Sequence, residues 1–202
     1  MLLVGNLVAC LTFVYFYARH FLPWVERRPE SVHYTDPVLG WIRPRDCSLV
    51  NTLLLYSSVA ATAWDHACSL ESAVMWLQVH TLIFFCRMFC LYMLPLAPPA
   101  GYVPMRDPLV DWLTGADAEP LSRDLAMSGH VAFVTANFMM ATSPGALFVH
   151  CYCMAMVPVF LLVQHVHYTF DLFVAYFVAT LCAAAAHPVA LARLTAANPF
   201  AP

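Results

Sequence analysis

The residues best suited to chemistry lie in one short run of the chain, from His165 to Asp171. If this run begins a helix, His167 and Asp171 are four residues apart and share a face. The carboxylate can then accept the proton on one ring nitrogen of His167 and leave the other nitrogen free. That arrangement orients a histidine as a nucleophile or a base. The alternative is a histidine–aspartate pair that only anchors the end of a helix.

A second group of candidates lies at the start of another apolar segment and comprises Asp124, Ser128, Gly129 and His130. Gly129 lets the backbone approach a ligand closely because glycine has no side chain, and Ser128 offers a hydroxyl donor. His130 lies near the expected start of a helix, where free N–H groups and the helix dipole favour an anion. This group therefore predicts contact with a negatively charged substrate.

Arg87 is the third candidate, and it lies inside a long apolar segment. Arginine stays charged in proteins, so within a membrane span it needs an anion, water or a route to the membrane edge. One interpretation is that Arg87 holds phosphate through its planar guanidinium group. The other is that its side chain extends to the membrane edge without a functional role.

The composition indicates a membrane protein, since 62% of the 202 residues are hydrophobic, 10% are charged and the mean hydropathy is +0.71. A membrane-spanning helix needs roughly 20 mainly apolar residues. We therefore expect an all-α fold, a single domain over residues 1–202 that forms an integral membrane bundle of six transmembrane helices. The first span is retained rather than cleaved as a signal peptide. The predicted spans are Leu2–Ala18, Ser48–Trp64, Ser72–Leu94, Leu125–Thr142, Ala146–Val163 and Tyr168–Ala186.

Alternation of six spans collects the candidate residues at one face of the membrane. The two long loops, 19–47 and 95–123, lie on that side. The candidates on the same side are His130, His167, Asp171 and the edge-near Arg87. His80 and His150 fall nearer the opposite face, and we expect them to be structural or paired with each other. This convergence of residues from distant parts of the chain predicts a functional site.

Other classes of function find little support in the composition. The net charge is −3 and no basic run or face suggests nucleic acid as a partner. The eight cysteines form neither a readable disulfide framework nor a pair of motifs at zinc-site spacing.

The candidate set suits phosphoryl transfer that requires no metal or cofactor. We expect His167, oriented by Asp171, to attack phosphorus and form a phosphohistidine intermediate. His130 would protonate the leaving oxygen and later deprotonate the acceptor, a role worth about 10²–10⁴ in rate. Arg87 and the amides near Gly129 would stabilise charge on the phosphoryl oxygens. At a membrane edge, the expected substrates are lipids with a phosphodiester or phosphomonoester headgroup.

Two motifs also carry a resemblance to a known family: Asp124-x-x-x-Ser128-Gly129-His130 and His167-Tyr168-Thr169-Phe170-Asp171. Placed on six spans, they resemble the sphingomyelin synthase family, which belongs to the wider type-2 phosphatidic acid phosphatase superfamily. The Ser-Gly-His-Val-Ala run is also similar to plant phosphatidylcholine:diacylglycerol cholinephosphotransferases. The resemblance covers about residues 36–186 and is strongest at the two histidine motifs.

This resemblance implies a site that moves a phosphorylated headgroup from a phospholipid donor to ceramide or diacylglycerol. The implied catalytic residues are His130, His167 and Asp171, and the implied substrate or phosphate contacts are Arg87, Asp124, Ser128, Gly129, Tyr168 and His165. Asp124 is expected to orient His130 or to bind the headgroup. His165 stands where relatives often have arginine, and Val131 stands where many have threonine. Because of these two differences, the resemblance does not determine which headgroup is transferred or which lipid accepts it.

The membrane orientation receives two opposed predictions. The family resemblance implies an endomembrane or plasma-membrane protein with its site facing the lumen or the exterior. The positive-inside rule predicts the cytosol, because the two long loops carry seven arginines and the other side carries only Arg193. We favour the family orientation, and homo-oligomerisation is left open.

Two rival functions are kept beside the headgroup transferase. The first is a lipid phosphate phosphatase that uses the same residues with water as the acceptor. The second is a catalytically silent lipid-binding membrane protein, which the intact set of His130, His167 and Asp171 disfavours.

Overall fold

The computed structural model describes residues 2–28, 32–66, 69–108, 111–112 and 121–188. It confirms an all-helical membrane bundle, with a helix at each of the six predicted positions. The six helices are α1 (Leu2–Glu26), α2 (Ser48–His66), α3 (Leu70–Met93), α4 (Gly129–Met140), α5 (Pro144–Val163) and α6 (Thr169–Ala186). Arg193 and parts of the two long loops, at 29–31, 109–110 and 113–120, lie outside the described residues.

Four of these helices, α1, α3, α5 and α6, are long and apolar enough to cross a membrane. The helix α2 has 19 residues but carries several polar ones, so its mean hydropathy is lower. The helix α4 has only 12 residues, which gives a length of about 18 Å against a hydrocarbon core of about 30 Å. It is shorter than the predicted span Leu125–Thr142 because Leu125–Ser128 lies outside the helix, with Ser128 as its N-cap.

The short helix α4 lies at the centre of the bundle. It packs against α2, α3, α5 and α6, and eight of its twelve residues are buried. In contrast, α1 packs mainly on the outer side of α3, and α2 pairs with α5. His130, at the start of α4, is therefore carried by the most enclosed helix of the described bundle.

Interhelical hydrogen bonds fix the half of the bundle away from the long loops. Asn137 on α4 donates to Ser58 Oγ at 2.9 Å and accepts from Trp76 Nε1 at 2.8 Å. The His150 ring bonds to Ser58 at 3.0 Å, and within α3 His80 Nδ1 lies 2.9 Å from the Trp76 carbonyl oxygen. Both histidines therefore have structural partners, and these partners are other residues rather than each other.

The buried side chain of Gln164 ties the long loops to the helix ends at the opposite face. Its amide nitrogen donates to Ser48 Oγ at 2.8 Å and to the Pro104 carbonyl at 3.2 Å, and its oxygen accepts from the Cys47 amide at 3.3 Å. Burying this amide costs little folding free energy, since its polar atoms all have hydrogen-bond partners. Gln164 thus holds the start of α2, the second loop and the end of α5 together.

Candidate active site

The predicted pair of His167 and Asp171 is formed in the structure. Nδ1 of His167 lies 3.2 Å from Oδ2 of Asp171, and both residues are buried. The same oxygen accepts the Tyr168 amide at 3.1 Å as part of the N-terminal cap of α6. The carboxylate is therefore fixed by the helix start, and it fixes the histidine in turn, which leaves Nε2 of His167 for chemistry.

A small pocket of about 50 Å³ brings the two predicted catalytic histidines together. Both His130 and His167 line it, with Asp107 and Asp124 beside them. The histidines come from the starts of α4 and α6, whose N-terminal amides and dipoles favour negative charge. The two helix starts can therefore support a phosphoryl group between the two histidines, in a pocket that Asp111 also lines.

A larger cavity of about 230 Å³ adjoins this pocket. Asp107, Asp124 and His130 line both spaces. The rest of the larger cavity is mainly apolar, with walls from α1 to α4 that include Leu55, Val59, Phe84 and Phe133. His130 thus lies where the small pocket that contains His167 meets a mainly apolar cavity.

Arg87 is buried within the bundle rather than extended to the membrane edge, because only 3% of it is exposed. Its Nη2 lies 2.6 Å from Oδ1 of Asp124, and its Nε donates to the Met127 carbonyl at 2.8 Å. A third bond joins its Nη1 to the hydroxyl of Tyr17. These three contacts show that Arg87 has a structural role. Arg87 also lines the larger cavity, and its binding of phosphate stays a prediction.

Gly129 and Ser128 shape the entry to α4. A Cβ atom on Gly129 would lie 3.0 Å from Cζ of Arg87, so the close approach that glycine permits is to the guanidinium group. The Ser128 hydroxyl accepts the Val131 amide at 3.4 Å as the N-cap, and the residue is fully buried. Ser128 lines neither cavity, whereas Gly129 lines the larger one.

The other two predicted substrate contacts, Tyr168 and His165, hold the loops. The Tyr168 hydroxyl donates to the Ala97 carbonyl at 2.8 Å. The two ring nitrogens of His165 lie 2.7 Å from the Ala100 oxygen and 3.0 Å from the Ile42 oxygen. Neither residue lines the two cavities, so these contacts join the first and second loops beside the site.

Sequence reasoning missed Tyr17, Asp107 and Asp36 as parts of the site. Tyr17 reaches Arg87 from a π-helical turn in α1, Tyr17–Phe21, and such turns are frequent at functional sites. The sequence gives no sign of this turn within an apolar segment. Asp107 is one of several acidic residues in its loop, and only its position beside His130 distinguishes it.

Asp36, in the first loop, caps the helix that carries Asp171. Its carboxylate accepts the Thr169 amide at 2.6 Å and the Val38 amide at 2.9 Å. Burial alone would raise the pKa of Asp36, but these hydrogen bonds outweigh it and hold the pKa below its ordinary value. The bonds therefore favour the charged carboxylate in the folded protein.

Replacing Asp36 with alanine is expected to lower the free energy of unfolding by about 0.5–2 kcal/mol, the usual cost of a lost N-terminal cap. Because the folded-state pKa is lowered, this contribution is complete above the unfolded-state pKa of about 3.9 and is lost as the pH falls below it. Thermal unfolding in detergent at pH 7 and pH 3 measures both effects. The difference between wild type and Asp36→Ala should shrink at the lower pH, and a constant difference would contradict the capping role.

Asp107 is placed to assist His130. Its Oδ2 lies 3.7 Å from Nε2 of His130, and its Oδ1 accepts the Tyr56 hydroxyl at 3.2 Å. The neighbouring Arg106 is held by α2, since its carbonyl accepts the Thr52 hydroxyl at 3.2 Å. The carboxylate therefore faces Nε2 of His130 from a fixed position, where it can help to orient the ring.

We expect Asp107→Asn to lower the turnover number about tenfold, part of the 10²–10⁴ that acid–base catalysis supplies, with little change in KM. Asp107→Glu should restore part of the loss. Steady-state kinetics in a His130→Ala background provides the decisive comparison. If Asp107 acts through His130, adding Asp107→Asn to that variant should lower the turnover number almost no further. An equal loss in that background would show that Asp107 does not act through His130.

No group of three or more histidine, cysteine or acidic residues suited to a metal ion occurs in the described part of the chain. In the comparison with family models, residues 123–188, about a third of the chain, match the model described as PAP2 superfamily C-terminal. The matched range contains His130, His167 and Asp171, whereas Arg87 lies outside it. No curated protein and no solved structure matches the chain. Residues 123–188, which include both histidine motifs, are therefore similar to the C-terminal part of that superfamily.

Proposed function

We propose that this protein is a phospholipid headgroup transferase of the sphingomyelin synthase-like kind. It moves phosphocholine, or a related phosphorylated headgroup, from a glycerophospholipid to ceramide or diacylglycerol. The observation that carries the proposal is the position of His130, which lines both the pocket of His167 and the adjoining apolar cavity. Both the leaving diacylglycerol and a lipid acceptor need such an apolar space beside the proton-transfer group.

In the first half of the reaction, Nε2 of His167 attacks the phosphorus of the donor. The N–P bond forms, the bond from phosphorus to the diacylglycerol oxygen breaks, and that oxygen takes a proton from His130. Asp171 stabilises the positive charge on the His167 ring, because its carboxylate lies 3.2 Å from Nδ1. Diacylglycerol leaves, and the headgroup stays on the enzyme as a phosphohistidine.

In the second half, the acceptor hydroxyl gives its proton to His130, and its oxygen attacks phosphorus. The N–P bond breaks and His167 returns to its starting form. The amides at the start of α4 and the Arg87 guanidinium support the negative phosphoryl oxygens in both halves. Asp124, paired with Arg87 at 2.6 Å, lies beside the pocket, where it can contact a cationic headgroup.

The proposal includes the setting of the enzyme. The site faces the lumen or the exterior, in an endomembrane or the plasma membrane, and the partners are the two lipid substrates. Limited protease cleavage of the loop after α1, at residues 27–47, in sealed vesicles tests this orientation, since protection would place the loop in the lumen.

The activity test uses purified protein in liposomes with fluorescent ceramide and, separately, fluorescent diacylglycerol. Phosphatidylcholine, phosphatidylethanolamine and phosphatidylinositol are offered in turn as donors. A new polar fluorescent lipid would establish the transferase and identify its headgroup. Release of phosphate from a phosphorylated lipid without a new phospholipid would instead establish the phosphatase, and lipid binding without any turnover would establish a silent protein.

A further inference from the structure

The apolar cavity beside His130 continues along one face of α2. Leu55 and Val59 line this cavity, and Val59, Thr62 and His66 line a second cavity of about 480 Å³ farther along the same helix. Residues at this spacing lie on one face of a helix. From Leu55 to His66 the helix rises about 17 Å, so the two cavities together follow much of the depth of the bundle.

The walls of this groove suit a hydrocarbon chain. Between the two cavities lies Val59, which is 41% exposed and lines both. The polar residues at the far end already have partners, since Thr62 bonds to His150 and His66 to Ser72. The groove begins between α1 and α2, and α1 packs mainly against α3. The space is therefore bordered by membrane-exposed helices, where lipid chains are the available apolar ligand.

We propose that this groove, defined by the two cavities that share Val59, holds one long hydrocarbon chain of the acceptor lipid. The chain enters between α1 and α2, runs along α2 past Val59, and leaves its hydroxyl end at His130. This inference rests on the proposed transfer to a lipid acceptor and adds the binding site of that lipid. It also assigns Val59 as the residue that controls the usable length of the chain.

Val59→Trp should narrow the groove at its midpoint, and Leu53→Trp supplies the matched control. Leu53 lies on the same helix, is 60% exposed, and lines neither cavity. Transfer to acceptors with a six-carbon or an eighteen-carbon acyl chain is compared in each variant. We expect Val59→Trp to lower the ratio of long-chain to short-chain transfer about tenfold, because several methylene groups lose their apolar contacts. Leu53→Trp should leave the ratio unchanged, and an unchanged ratio in active Val59→Trp would overturn the proposal.

A second measurement does not depend on activity or on the variant folding. Wild-type protein in liposomes is photolabelled with ceramide or diacylglycerol that carries a diazirine in the middle of its acyl chain. Mass spectrometry should find the label near Val14 and Val59, which line the first cavity. Labelling confined to outward residues such as Leu53 would overturn the groove as a binding site. If the groove is labelled but no transfer occurs, the proposed function fails while the binding site stands.

Discussion

Replacing His167 with alanine is expected to lower headgroup transfer by about 10⁴-fold or more, because no other group can take over an in-line covalent attack. The ring is buried and held by Asp171 at 3.2 Å, so its removal should leave the helix start capped by the same carboxylate through the Tyr168 amide. We therefore expect the loss in turnover to exceed any loss in stability. Transfer of a fluorescent acceptor and thermal unfolding of the same preparation measure the two effects separately.

The covalent intermediate offers a direct check on this role. His130→Ala removes the proton donor but keeps the nucleophile, so it should slow both halves of the reaction and still permit a labelled headgroup to accumulate on His167. An acid-labile phosphorylated headgroup on the peptide containing His167, found by mass spectrometry and absent in His167→Ala, is the expected result. His20, an exposed histidine on α1, supplies the control, and His20→Ala should transfer at the wild-type rate. Transfer that survives in His167→Ala would refute the phosphohistidine mechanism.

The features of this site that involve residues close together in the sequence can be predicted from residue spacing and the pattern of apolar segments. The spacing of His167 and Asp171 places them on one helical face wherever the helix begins, and the structure forms that pair. The alternation of apolar segments likewise predicts that His130 and His167 approach from the same end of the bundle, and both line one pocket. Such features need only the helix period and the order of the helices.

The remaining parts depend on contacts between distant residues, which no local pattern encodes. The apolar run Leu125–Thr142 reads as one span, yet its first residues stay outside the helix because Arg87 binds the Met127 carbonyl and Ser128 caps α4. The partner of Arg87 is equally non-local, since Tyr17 lies 70 positions away in the sequence. Gly129 illustrates the same limit. The sequence predicts a close approach there, but only the structure shows that the approaching group is a guanidinium.

Replacing Arg87 with methionine should be the most destabilising single change in the site, at about 3–5 kcal/mol, because it leaves a partly buried carboxylate without its cation. Asp124 would lose its ion pair at 2.6 Å, and the Met127 carbonyl would lose its donor at 2.8 Å. Both groups lie in the segment that leads into α4. We therefore expect transfer to fall together with stability, since this segment positions His130.

The test compares thermal unfolding of Arg87→Met, Asp124→Asn and the double variant in one detergent. If the ion pair itself is the source of the effect, the double variant should be more stable than Arg87→Met, because no unpaired charge then remains. Arg87→Lys should recover little, since an ammonium group cannot meet Tyr17, Met127 and Asp124 with one planar fork. Arg27, an exposed arginine directly after α1, supplies the control as Arg27→Met. If Arg87→Met unfolds at the temperature of that control while transfer is lost, Arg87 serves the substrate phosphate rather than the fold, because a guanidinium that holds the protein together cannot be removed without a loss of stability.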